Sequence, residues 1–521
     1  MPAMNRISRP SLLAVLCLLL VAPVVAQAQE APNRQPQPVR GEARPQSADT
    51  TRLPPNSVTR HTITLPGRTL SLTATAGSLT LIDTNGAPQA EIGFTAYTKD
   101  DADLATRPVT FAVNGGPGAS SAYLNLLAIG PWRLSLDGAG ISPSASPSLM
   151  PNAETWLDFT DLVFIDPPGT GYSRVIGGDQ VRERFYSLRG DIDGLAAAIM
   201  RWLKEKNRLL SPKFFVGESY GGFRGPLLAE KLQSDQGIGL SGLVLVSPVL
   251  DFAWLDHASS APWTDAARLP SMAAAALARK GPVSREALQD AERYASGEYL
   301  VDLMRGVQDR EAVERISGRV AALTGLDLDL VRRLAGRVDA RAVQRETLRR
   351  SADVLSAYDA DVFGADPNPA AYVSRFEDPV LTAMTAPLTS AIIDHLTNTL
   401  NYKPEGRYNL LNNAVTRAWR WDGGRNAPEN LEELRQALAL DGKLRVLVVH
   451  GFTDLVTPYY ASQLLINQIP DLGPEKRLTL KVYEGGHMFY SRQGSRQAFR
   501  ADAQRLFEDA MRVQANGSKK D

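Results

Sequence analysis

The rhythm of apolar and polar positions changes several times along the chain. Between His61 and Tyr97 the two alternate, in Thr-Ile-Thr-Leu, Leu-Ser-Leu-Thr and Leu79-Thr80-Leu81-Ile82, which is the period of half-buried strands. Asn85-Gly86 interrupts them with a hairpin signal, since both residues accept the positive φ of a tight turn. An antiparallel meander at one edge of a sheet is predicted. Short, mainly apolar runs follow at 109–113, 161–166, 214–216 and 242–246, and again at 444–449 and 478–483. Between them, 192–203 carries apolar residues at helical spacing. Strands that alternate with helices predict a mainly parallel sheet covered on both faces. The alternation stops near Leu250, and 271–349 is Ala-, Arg- and Leu-rich with helical periodicity. The expected organisation is a core of 59–250 and 435–512, a helical cap inserted over 251–434, and a frayed polar tail at 513–521.

The first residues follow another pattern. Arg6 and Arg9 precede an apolar stretch, 11–21, that is too short for a comfortable membrane span, and Ala26-Gln27-Ala28 reads as an A-x-A cleavage site. A signal peptide over 1–28 is expected, and with it export to a bacterial periplasm or medium. Residues 29–58, rich in Pro, Gln, Arg and Ser, are expected as a disordered linker. Cys17 is the only cysteine, so the mature chain has neither disulfides nor thiolate zinc sites. The 521 residues balance 57 Lys+Arg against 57 Asp+Glu, and nothing in that balance suggests nucleic acid or an anionic membrane as partner. The sequence leaves oligomeric state open.

Gly217-Glu218-Ser219-Tyr220-Gly221 lies between the apolar run 214–216 and a segment that can be helical. Strand, tight glycine-flanked turn, then helix is the setting of a nucleophile elbow, which lifts a serine hydroxyl above the sheet. Ser219 then needs a base. Of five histidines, His61 sits in the meander, His257 and His395 sit in or beside the cap, and His450 closes a strand and reads as structural. His487, in Gly485-Gly486-His487-Met488, follows the last strand, so its loop reaches the same end of the sheet as the elbow. Asp454 follows the strand that ends at Val449 and is the expected orienting acid. The order Ser, Asp, His is that of α/β-hydrolases. Asn114-Gly115-Gly116-Pro117-Gly118 follows an early strand, where one oxyanion-hole amide is expected, and Tyr220 supplies the other. This glycine loop lacks the Lys-Ser/Thr of a P-loop and the spacing of a dinucleotide fingerprint.

Three segments, Val113-Asn114-Gly115-Gly116-Pro117-Gly118-Ala119-Ser120-Ser121, Gly217-Glu218-Ser219-Tyr220-Gly221-Gly222 and Gly485-Gly486-His487-Met488, together resemble the serine carboxypeptidase family, peptidase family S10. The stretch from Trp156 to Ser173, with Asp166-Pro167 and Gly169-Thr170-Gly171-Tyr172-Ser173, is similar as well, and the resemblance runs over 79–506. It implies an α/β-hydrolase fold and a triad of Ser219, Asp454 and His487. It also implies an oxyanion hole of the Gly116 and Tyr220 amides. Asn114 and Glu218 would hold the C-terminal carboxylate of a peptide substrate, and Met488 would line the same pocket. No metal or organic cofactor is implied. A protonated Glu218 donates to a carboxylate where an ionised one repels it, so peptidase activity favoured at acidic pH is expected. The chain departs from the family pattern twice. Ala119 stands where the family often has a cysteine. Ala128, in Leu127-Ala128-Ile129-Gly130-Pro131, stands where eukaryotic members have a second glutamate. Carboxylate recognition is thereby expected to rest on Asn114 and Glu218 alone. The alternative activity on the same scaffold is an esterase or acyltransferase.

Overall fold

The computed structural model describes residues 52–135, 142–144, 146–255, 260–422 and 426–517. The expected signal peptide and most of the expected linker lie outside the described residues.

The edge of the sheet is the meander predicted from alternation: β1 (Ser57–Leu65), β2 (Arg68–Ile82) and β3 (Pro88–Lys99), paired antiparallel. Ser57 and Val58 fall in the stretch expected as linker, yet they pair with Ala76 and Thr75. The long β2 offers its neighbour more backbone partners than the polar composition before His61 suggests. The buried strands follow as β4 (Val109–Val113), β5 (Asp161–Ile165), β6 (Lys213–Glu218), β7 (Gly242–Val246) and β8 (Arg445–Gly451), and the part-buried β9 (Leu478–Tyr483) closes the far edge. Their order across the sheet is β1-β2-β3-β5-β4-β6-β7-β8-β9, and every pairing from β5 onward is parallel. This is the α/β-hydrolase fold.

Alternation divides each buried strand between two apolar layers. Val109, Phe111 and Val113 of β4 face one layer, with Phe215, Leu243, Leu245, Val446 and Val448. Helices α1 (Leu188–Glu205) and α2 (Tyr220–Gln236) cover that layer through Leu195, Trp202, Leu228 and Leu232. Ala112, Phe164, Phe214, Val216, Val244 and Leu447 face the other, beneath the C-terminal helix Gln493–Gly517. There Phe214 stacks on Phe507 with ring centroids 3.8 Å apart. That helix carries the backbone past residue 513, where a frayed tail is expected.

Within 251–434, the helices Pro262–Ala278, Arg285–Tyr294 and Arg310–Thr324 share an apolar cluster with Phe452, Leu455, Tyr459 and Tyr460, which follow β8. Two other parts of this stretch reach the core loops. The turn of the hairpin Asp353–Leu355/Phe363–Ala365 touches the segments after β8 and β9. Residues 409–416 run along the glycine loop: Ser120 N donates to Leu410 O at 2.9 Å, and Thr416 Oγ1 donates to Pro117 O at 2.6 Å.

Candidate active site

The turn after β6 has the strain expected of a nucleophile elbow. Ser219 sits at φ 61°, ψ −123°, a region rarely open to a residue with a side chain. It is nonetheless half-exposed, whereas Glu218 and Tyr220 on either side are buried. The glycines around it answer to close backbone approach. A Cβ on Gly217 would lie 2.0 Å from Gly221 O, and one on Gly221 would lie 2.3 Å from Val113 O.

Ser219 and His487 are anchored to one dipeptide at the end of β7. Ser219 N donates to Val246 O at 2.8 Å, and Ser247 Oγ donates to His487 O at 2.8 Å. His487 Nδ1 donates to Asp454 Oδ2 at 2.8 Å, with both residues buried. Asp454 accepts three further bonds: Val456 N at 2.8 Å and Thr457 N at 2.9 Å on Oδ1, and Thr457 Oγ1 at 2.7 Å on Oδ2. Burial by itself would lower the pKa of His487. The Asp454 charge and hydrogen bond, joined by the Glu218 charge, outweigh burial and raise it. That is the balance needed by a base that must carry a proton during acyl transfer.

The glycine loop lies against the elbow, since a Cβ on Gly115 would meet Tyr220 N at 2.6 Å and Glu218 O at 2.7 Å. Gly116, at φ +102°, takes a backbone conformation that disfavours any other residue. The amides of Gly116 and Tyr220 thus belong to two segments in contact. Tyr220 also roofs a buried ion pair: its hydroxyl donates to Asp191 at 3.1 Å, and Arg224 donates to Asp191 at 2.7 Å and to Asn114 O at 2.6 Å.

Asn114 and Glu218 meet directly. Asn114 Nδ2 donates to Glu218 Oε2 at 2.7 Å, and Leu124 N fixes the amide by donating to Asn114 Oδ1 at 3.0 Å. Met488 is buried in the same layer as Tyr490 and Ala128. Tyr490 reaches the same carboxyl: its hydroxyl lies 2.9 Å from Oε1 and 2.7 Å from Oε2. Burial raises the pKa of Glu218, against the opposing pull of the His487 charge and of the bonds from Tyr490 and Asn114.

Sequence reasoning missed Tyr490, Thr457, Ser247 and Tyr358. Tyr358 comes from the hairpin in 251–434. Its carbonyl accepts His487 N at 2.5 Å, and its ring stands edge-on to the imidazole at 5.3 Å. Only proximity to His487 along the chain pointed to Tyr490. His450 is buried, with its ring nitrogens on Thr457 O and Ser462 Oγ, and burial pushes it down to about 4. His395 contacts Tyr97 and Trp132, and burial pushes it down to about 3. His257 lies outside the described residues. Among the described residues no group of His, Cys, Asp or Glu could hold a metal ion.

Comparison with known proteins bears on this site. Among curated proteins, the pheromone-processing carboxypeptidase KEX1 of Yarrowia lipolytica is 30% identical over 158 residues, 30% of this chain and 23% of that protein. The kex1 carboxypeptidase of Neosartorya fischeri is 31% identical over 166 residues, 29% of this chain and 23% of that protein. The chain thus matches under a quarter of these relatives' own length. Among solved structures, the proline iminopeptidase of Mycobacterium smegmatis covers 84% of this chain and all (100%) of its own, at 14% identity and a TM-score of 0.36. That likeness is too weak to bear on the site. Residues 81–287, which hold the glycine loop and the elbow, match the family model of the serine carboxypeptidases.

Proposed function

We propose that the protein is a serine carboxypeptidase that removes C-terminal amino acids from peptides through an acyl-enzyme. His487 takes the proton of Ser219 as the hydroxyl attacks the last peptide bond, and Asp454 stabilises the imidazolium. The amides of Gly116 and Tyr220 hold the oxyanion, where one such donor is worth about 10²–10³ in kcat. The amino acid leaves with the proton returned by His487, and water releases the shortened peptide. One observation carries the reading: a buried carboxyl, Glu218, whose pKa burial raises, sits directly beside the half-exposed Ser219 with Asn114 bonded to it. A hydrolase of simple esters has no use for an acid there, whereas a neutral carboxyl and an amide suit a substrate carboxylate.

The test compares a peptide with a free C-terminus against its C-terminal amide. The free acid is expected to be cut about 10–100-fold faster, the scale of a lost charge-assisted hydrogen bond, and Ser219→Ala to abolish both reactions. Equal rates would instead favour an esterase or acyltransferase. Residues 251–434, as a cap, would shape the pocket for the departing amino acid. Export through a signal peptide over 1–28 would put the enzyme in the periplasm or medium. The N-terminal mass of the mature protein checks this, and an intact Met1 would overturn it. Among the described residues no helix is long and apolar enough to cross a membrane.

A further inference from the structure

The carboxyl of Glu218 is gripped from one side by a residue that the reaction does not use. We propose that Tyr490 is a positioning residue: its phenol fixes the Glu218 carboxyl and sets the pH up to which the site accepts a substrate's C-terminal carboxylate. This rests on the carboxypeptidase reading above and adds to it the group that controls its proton.

The geometry is specific. Tyr490 is fully buried, and its hydroxyl reaches both Glu218 oxygens, at 2.9 and 2.7 Å. Its backbone is pinned, because Arg496 Nη1 donates to Tyr490 O at 2.8 Å while Arg496 Nε pairs with Glu154 at 3.2 Å. The short turn Phe489–Ser491 packs against the segment Leu124–Ile129 that carries Ala128. Tyr490 thus brings one hydroxyl to Glu218 from a turn that packs on the segment carrying Ala128. Burial, reinforced by the Glu218 charge, holds that phenol far above its ordinary pKa, so it remains a donor at every working pH. A donor stabilises the ionised carboxylate. Other groups also act on Glu218. Asn114 donates to it, the His487 charge favours its ionised form, and the Asp454 charge opposes that form. The phenols of Tyr123 and Tyr358 lie close enough to feel its charge. Binding a substrate carboxylate beside Glu218 requires Glu218 to hold a proton, and the Tyr490 bond is what that proton must compete with.

The experiment is the pH profile of kcat/KM for a free-acid peptide, from about pH 4 to about pH 9, in the parent, Tyr490→Phe and Glu218→Gln proteins. A hydrogen bond to a charged oxygen is worth on the order of 10–100-fold, so Tyr490→Phe should move the alkaline limb up by about one to two pH units. Glu218→Gln should remove that limb, and adding Tyr490→Phe to it should shift nothing. Fluorotyrosine at position 490 keeps the packing and donates more strongly, so it should move the limb down. A uniform loss of rate with the limb unmoved in the phenylalanine and fluorotyrosine proteins would make Tyr490 a packing residue and overturn the proposal. Failure of the underlying reading is separate, because it appears in the parent protein as equal cleavage of free and amidated peptides.

Discussion

Every acceptor position of Asp454 is in use. Oδ1 takes two backbone amides and Oδ2 takes the Thr457 hydroxyl and the His487 ring. An asparagine there must turn its NH₂ toward a donor whichever way it flips. If it faces His487, the imidazole is forced into the wrong tautomer. If it faces Val456 and Thr457, a buried turn loses its two amide partners. Asp454→Asn is therefore expected to lower kcat by about 10³–10⁴-fold, read by steady-state kinetics on a free-acid peptide. A loss below tenfold would remove Asp454 from the triad. The same reasoning explains why His487 and Glu218 must be considered together. Each charge stabilises the other.

At the scale of elements, the site is three loop tips pressed together, and contact between backbones sets the tolerance. The Cβ that alanine would add at Gly115 collides with Tyr220 N and Glu218 O, at 2.6 and 2.7 Å, neither of which can rotate aside. Gly115→Ala should push the glycine loop off the elbow and separate the two oxyanion amides, lowering kcat by at least about 100-fold with the protein still folded by circular dichroism. Parent-like turnover would mean that the two loops move independently. Much of this element level was legible in the sequence. The buried strands showed as short apolar runs, and the glycine–serine motifs marked the strand ends. Tyr490 was not legible, because a short turn has no periodicity and its partner lies 272 residues away. The contact of Tyr358 with His487 was equally hidden, since an insertion read as helical gives no sign of the hairpin that returns to the histidine loop. The bracing of the glycine loop by 409–416 is another pairing across distant sequence, which local patterns do not encode.

For the whole molecule, the pH dependence of stability follows from groups that bind protons differently in the folded and unfolded chains, several of them buried. His395 and His450 are pushed by burial to about 3 and about 4, from an ordinary 6.5. Between roughly pH 4 and 6.5 the unfolded chain binds protons there that the folded chain does not, so these two groups make stability rise with pH. Asp166, at the end of β5, works in the opposite direction. Burial pushes it up to about 7 from 3.8, although it accepts Ser121 N at 2.8 Å. The folded chain therefore keeps a proton that the unfolded chain has released, and stability falls as pH rises through the same window. Glu218, also raised by burial, adds to that fall. Asp166→Asn deletes one opposing proton while preserving the neutral form and the acceptor for Ser121. The variant should then gain about 1.4 kcal/mol of stability per pH unit over this window that the parent does not. Its Tm should accordingly climb several degrees more than the parent's between about pH 4.5 and 6.5. Parallel Tm curves would show Asp166 to be ionised in the folded protein, held there by the Ser121 amide in spite of its burial.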